Sequence, residues 1–280
     1  MARMTRSSKS ICQLRPTAED FRAQCRGGGL FTLAINQRAG AWLAVAADRM
    51  SVPPKWMTLC NLFLGVAAST ALMLAAHSMA SGRIPAAPVA AGAWFLWQLA
   101  YSLDCGDGQL ARVTGRCTAA GGHLDVFCDT AVQVSVIAAV ASVAVAYSPG
   151  TPVWLVSAFA SCWMVNLITS VMAKDGAAIT MVSSSSMLVQ LAKLVRDYGA
   201  IITLIGAVLT FLPERTVVVL SFLTACNAFF LLASIVHSSL SDRPLPPPSR
   251  VFPHHAQERH DSEPAVDQRP HAEPQLPSVS

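Results

Sequence analysis

The sequence predicts an all-α integral membrane protein with six transmembrane helices and an N-terminal amphipathic interfacial helix. Three observations predict it. Hydrophobic residues make up 53% of the 280-residue chain and charged residues only 13%, well under the charged share of about 25% usual in soluble domains. The mean hydropathy is +0.46. The apolar residues also gather into long runs, and a run of about 20 is enough for a helix to cross the hydrocarbon core. A formal charge of +4 is modest, and no nucleic-acid partner is expected.

Residues 1–29 are polar and close on Gly27, Gly28 and Gly29. They read as a flexible cytoplasmic lead-in, because no compact apolar stretch with a small-residue cleavage site follows the early basic residues. In residues 30–50, Leu30, Leu33, Ala34, Trp42, Leu43, Val45 and Ala46 interleave with Asn36, Gln37, Arg38, Asp48 and Arg49. That pattern predicts a juxtamembrane helix lying in the interface with Trp42 at headgroup depth. Gly40 interrupts it, and a loose linker is the alternative.

Spans are expected at 57–80, 87–106, 122–147, 151–173, 197–213 and 216–238, within a membrane domain covering 51–240. The fifth has a short apolar core from Tyr198 to Pro213; tilt or bilayer thinning accommodates it, with a re-entrant or interfacial helix as the alternative. Beyond Leu240 the chain turns to Pro244, Pro246, Pro247 and Pro248, then His254 and His255. Residues 241–280 read as a disordered cytoplasmic tail whose histidines are solvated. The eight cysteines show no zinc spacing and read as small apolar packing residues.

Basic residues set the orientation. The N-terminal segment, the connection with Arg112 and Arg116, and the connection with Lys174, Lys193 and Arg196 are basic, whereas the opposite side offers only Arg83 and Arg215. Both termini and the second connection are therefore expected on the cytoplasmic side of the cell membrane.

The most informative stretch runs from Asp104 to Asp129, where four aspartates stand at the end of one apolar run and the start of the next. Each would cost about 2.5 to 3.5 kcal/mol at the centre of a membrane helix, so function is the default reading. Asp104 and Asp107 are three apart and Asp125 and Asp129 four apart, which puts each pair on one helix face. Convergent carboxylates repel by about 4 kcal/mol per pair at 4 Å with an effective dielectric of 20. The four therefore read as ligands of hard divalent cations, two ions of Mg²⁺ or Mn²⁺, an arrangement that clamps both oxygens of a phosphoryl transfer. A divalent-cation transporter is the alternative of another class, but it needs polar residues deep in several spans. Gly108 and Ala111 lack bulk and let a nucleotide approach the helix. Gly121 is expected to admit a neighbouring helix, and Arg112 offers a donor fork suited to pyrophosphate.

Asp104, Asp107, Gly108, Ala111, Arg112, Gly121, Asp125 and Asp129 fill every fixed position of the pattern D-x2-D-G-x2-A-R-x8-G-x3-D-x3-D. The sequence thereby resembles the CDP-alcohol phosphotransferase (CDP-alcohol phosphatidyltransferase) family, over about residues 30–240. The resemblance implies a membrane enzyme that moves a phosphoalcohol from a CDP-linked lipid donor to an alcohol acceptor and releases CMP. It also implies that Asp129 is both a ligand of the second metal and the general base. Pro54, Lys55, Trp56, Met57 and Thr58 resemble the family's P-N-x-x-T entry, with Lys55 at the Asn position. Thr58 is accordingly a further candidate for CDP binding, or simply a helix-start hydroxyl.

Relatives that use glycerol 3-phosphate or inositol phosphate often carry a basic residue after the last aspartate, where this chain has Thr130. Arg116, Lys174, Lys193 and Arg196 either form an acceptor-phosphate site or anchor the topology, and Asp197 reads as a neutraliser of Arg196. The expected reaction makes a phospholipid from CDP-diacylglycerol and a polyol or polyol phosphate. The alternative moves phosphocholine or phosphoethanolamine from a CDP-aminoalcohol to diacylglycerol. Membrane lipids and a second copy of the chain, as a homodimer, complete the expected partners.

Overall fold

The computed structural model describes residues 15–25, 27–175 and 197–240. Lys193, Arg196, the side chain of Lys174 and the tail 241–280 lie outside the described residues. In chain order the elements are α1 (Ala18–Ala23), a π-helical turn (Thr32–Asn36), α2 (Gln37–Arg49), α3 (Pro54–Ala80), α4 (Ala86–Val113), α5 (Ala119–Tyr147), α6 (Val153–Asp175), α7 (Tyr198–Phe211), a 3-10 turn (Pro213–Arg215) and α8 (Thr216–Leu240). Among the described residues there is no strand. The described residues up to Val236 belong to one compact unit.

Local chemistry sets the helix ends. Pro54 opens α3 at its first turn, where a fixed φ suits the helix and a missing N–H costs nothing. Thr118 caps α5 by accepting the Gly121 N–H at 3.0 Å. Asp197 caps α7 by accepting the Gly199 N–H at 3.1 Å. Between α3 and α4 the chain turns at Gly82, with φ of 70°, a left-handed conformation that a side chain would strain.

Three helices are long and apolar enough to cross a membrane: Pro54–Ala80, Ala119–Tyr147 and Pro213–Val236. Val153–Thr169 and Tyr198–Phe211 are shorter apolar helices. α4 has the length, but Gln98, Ser102, Asp104, Asp107, Gln109 and Arg112 make its second half polar.

α3 is the central element and packs along both α4 and α5. The main core gathers Leu72, Trp97, Val136, Val140, Phe159, Ile205 and Leu220 from six helices. Gly65 of α3 allows close contact with α5, because a Cβ there would stand 2.6 Å from Val132 Cγ1.

A second core joins α1 and α2 to α3 and α4 through Phe21, Ala41, Ala44, Val45, Met57 and Leu110. Here the structure differs from a uniformly flexible lead-in. Thr17 and Asp20 form a capping box on α1, and their hydrogen bonds hold the Asp20 carboxyl below its ordinary range. Phe21 is fully buried, and that burial anchors so short a helix.

α2 turns Ala41, Ala44 and Val45 inward and leaves Trp42 68% exposed. Gly40 does not interrupt it. A Cβ at Gly40 would lie 2.8 Å from Ser102 O and 2.9 Å from Gly106 N, and one at Gly106 would lie 2.7 Å from Gly40 O. The two glycines are where the α2 and α4 backbones touch. Gly40→Ala should therefore destabilise the protein by about 1 to 3 kcal/mol through overpacking, although alanine alone favours helix by about 1 kcal/mol. A detergent melting midpoint equal to or above wild type would show that the contact yields without cost.

Candidate active site

The signature aspartates lie on two helices that share α3 as a neighbour. Asp104 and Asp107 are one turn apart on α4, and Asp125 and Asp129 one turn apart on α5. α3 supplies donors to the first pair. The Thr58 hydroxyl donates to Asp107 Oδ2, and Asn61 Nδ2 donates to Asp104 Oδ1 at 3.4 Å. Both donors are nearly inaccessible, at 4% and 2% exposure, and Asp107 is itself buried. On α5, Gln133 Nε2 donates to Asp129 Oδ2 at 3.1 Å. α4 and α5 both pack along α3, whose Thr58 and Asn61 lie against the first pair. α4 and α5 thus bring the four carboxylates into one region.

Among the described residues no three His, Cys, Asp or Glu side chains stand close enough to enclose a metal ion. Asp107, Asp104 and Asp129 accept hydrogen bonds from the neutral donors Thr58, Asn61 and Gln133. Their chemistry nevertheless fits hard divalent cations, since all the acidic groups are oxygen donors and share one region.

The remaining signature residues divide. A Cβ at Gly108 would lie nearest the Arg112 guanidinium, at 3.0 Å. Ala111 and Arg112 are half-buried beside it, and Arg112 Nε donates to Gln24 O at 2.9 Å. The end of α1 thereby reaches the signature arginine. Among the described residues no helix closes on Gly121. It is exposed in the first turn of α5, where a Cβ would meet only Thr118 Oγ1 at 3.0 Å; the close backbone contacts fall at Gly40 and Gly106 instead, and Gly65 meets the Val132 side chain.

Of the acceptor candidates, Arg116 is exposed just beyond α4. Asp197, read as a neutraliser of Arg196, is buried and accepts from Thr32 N at 2.9 Å and from the Thr32 hydroxyl. It ties the π-helical turn to the start of α7. Cys105 and Cys128 are free thiols buried beside the aspartates.

Sequence reasoning missed Asn61, Gln133 and Trp163. The first two carry a readable signal, since Asn61 stands three residues after Thr58 and Gln133 four after Asp129, on the same helix faces. Trp163 comes from α6 and bonds Gln133 across a separation of 30 residues, so no local spacing announces it.

A family model described as CDP-alcohol phosphatidyltransferase matches residues 51–238. The chain belongs to this family. No curated protein matches it. As a CDP-alcohol phosphatidyltransferase it is a membrane transferase of substituted phosphate groups, using a CDP-alcohol donor and an alcohol acceptor. The matched stretch includes Thr58, Asn61, the four aspartates, Gln133 and Trp163, and it leaves α1 and α2 outside.

Proposed function

We propose that this CDP-alcohol phosphatidyltransferase transfers a phosphatidyl group from CDP-diacylglycerol to the hydroxyl of a polyol or polyol phosphate, releasing CMP in phospholipid synthesis. The observation that carries the reading is the gathering of Asp104, Asp107, Asp125 and Asp129 into one region by α4 and α5. Its setting is a six-span domain in the cell membrane with the aspartates and both termini on the cytoplasmic side, where CDP-activated donors are made. α2 lies in the interface with Trp42 towards the headgroups.

The acceptor oxygen attacks the lipid-side phosphorus of the donor. The bond from that phosphorus to the CMP oxygen breaks, and the hydroxyl proton passes to Asp129. One direct displacement, without a covalent Ser or Cys intermediate, is the simplest course. Asp104, Asp107 and Asp125, with Asp129, would hold two Mg²⁺ or Mn²⁺ ions, which supply positive charge to the pyrophosphate and to departing CMP. Thr58 and Asn61 orient the α4 carboxylates. Gly108 and Ala111 leave room for the nucleotide, and Arg112 turns its donor fork to the phosphates. Arg116, Lys174, Lys193 and Arg196 form the acceptor side where the acceptor carries a phosphate.

The test uses purified full-length protein in lipid vesicles, radiolabelled CDP-diacylglycerol, and a panel of glycerol, inositol and their phosphates. One acceptor should yield CMP and a labelled phospholipid in equal amounts. CDP-choline with diacylglycerol is the contrasting arm. Product in that arm alone, or no CMP release in either, would overturn the reading.

A further inference from the structure

Asp129 does not stand by itself on α5. One turn later, Gln133 donates its amide N–H to Asp129 Oδ2 at 3.1 Å and accepts the Trp163 indole N–H on Oε1 at 2.9 Å. The direction of this chain is chemically determined. An indole nitrogen can only donate and an ionised carboxylate can only accept, so the Gln133 amide has one orientation that satisfies both partners. Gln133 is 7% exposed and Trp163 5%, which shields the bond between them from exchange with bulk water. The indole is fixed in turn, packing edge-on against Phe159 at 5.4 Å and against Tyr198 at 6.4 Å.

We infer that Gln133 is a positioning residue for Asp129, and that Trp163 locks Gln133 in the orientation this requires. The inference rests on the proposed role of Asp129 as the general base. A carboxylate on an α-helix rotates about its last bond with little resistance. A hydrogen bond to one oxygen stops that rotation and keeps the carboxylate aligned with the acceptor hydroxyl, and small misalignments at a reacting centre cost rate steeply. The alternative role is a tie between α5 and α6, since polar side chains join helices within membranes. A tie would matter for stability but would not act through Asp129.

The experiment measures CMP release from radiolabelled CDP-diacylglycerol with the same polyol panel, and the indole N–H resonances of the six tryptophans in the full-length protein. Gln133→Leu should lower kcat about 10- to 100-fold, the usual effect of losing a group that orients a ligand or base, and leave the donor KM unchanged. Trp163→Phe should act in the same direction but less. Combining the two should lower kcat no further than Gln133→Leu alone, because both break one chain. In an Asp129→Asn background, Gln133→Leu should have no added effect. The Trp163 resonance, identified by its loss in Trp163→Phe, should shift in Gln133→Leu.

An unchanged kcat in Gln133→Leu, a further loss in the Asp129→Asn background, or an unshifted Trp163 resonance would each overturn the inference. Failure of the underlying reading looks different. Wild-type turnover in Asp129→Asn would remove the base itself, whereas an inactive Asp129→Asn beside a fully active Gln133→Leu would remove only the positioning role. Where Gln133→Leu is too unstable to assay, Gln133→Asn, whose shorter side chain cannot span both partners, takes its place: a shifted Trp163 resonance verifies the broken bond, and its kcat, alone and in the Asp129→Asn background, decides the positioning role.

Discussion

Asp129→Asn should lower kcat by about 10²- to 10⁴-fold, the range expected for removal of a general base, with donor affinity close to wild type. The replacement changes little in size and keeps one oxygen on α5 to meet Gln133, but an amide cannot take the acceptor proton at neutral pH. Donor affinity is expected to survive because Asp104, Asp107 and Arg112 sit on α4, away from the substitution. The measurement pairs kcat for CMP release with a direct titration of CDP-diacylglycerol. A drop in kcat with intact donor binding identifies an interaction made in the transition state. Parallel losses of both would make Asp129 chiefly a metal ligand, and wild-type turnover would end its candidacy as a base.

The helices were legible because each apolar run ends in a residue with a definite local job. Pro54 starts α3 three residues before the expected span at 57, and α5, capped by Thr118, starts at Ala119, three residues before the expected 122. α4 outruns its expected end at 106 and reaches Val113, because the signature residues continue the same helix into the polar region. Gly40 was read in the wrong sense. A glycine in a helix costs about 1 kcal/mol by propensity, and that local cost suggested an interruption; its benefit lies in a contact with Gly106 of another helix, which local pattern does not encode.

The site divides along the same line. Fixed spacing on single helices reveals Asp104 with Asp107 and Asp125 with Asp129, and the same reasoning reaches Asn61 and Gln133. Pairings between remote segments have no period to read. Trp163 with Gln133 and Asp197 with Thr32, the latter 165 residues apart, become visible only when the helices are assembled. Arg112 combines both cases: its place in the signature is plain from spacing, while its bond to Gln24 depends on α1, which Phe21 pins into the smaller core.

Excess chelator should abolish CMP release completely, and Mg²⁺ or Mn²⁺ should restore it. The reason is electrostatic. Asp107 is buried at 5% exposure, and convergent carboxylates repel, by about 4 kcal/mol for unit charges 4 Å apart at an effective dielectric of 20. The hydroxyl of Thr58 and the amide of Asn61 orient carboxylates but carry no charge to offset that repulsion. A divalent cation does, and it should therefore bind the folded protein and stabilise it by about 2.7 kcal/mol at a hundredfold excess over its Kd. Thermal unfolding in detergent gives a readout independent of turnover: Mg²⁺ should raise Tm in wild type, and Asp107→Asn should lose most of that rise together with metal-dependent donor binding. Asp104→Asn should behave alike, since both carboxylates come from the same turn of α4. Full CMP release in excess chelator, or an equal rise in Tm for wild type and Asp107→Asn, would remove these aspartates from metal binding and return them to hydrogen bonding with α3 alone.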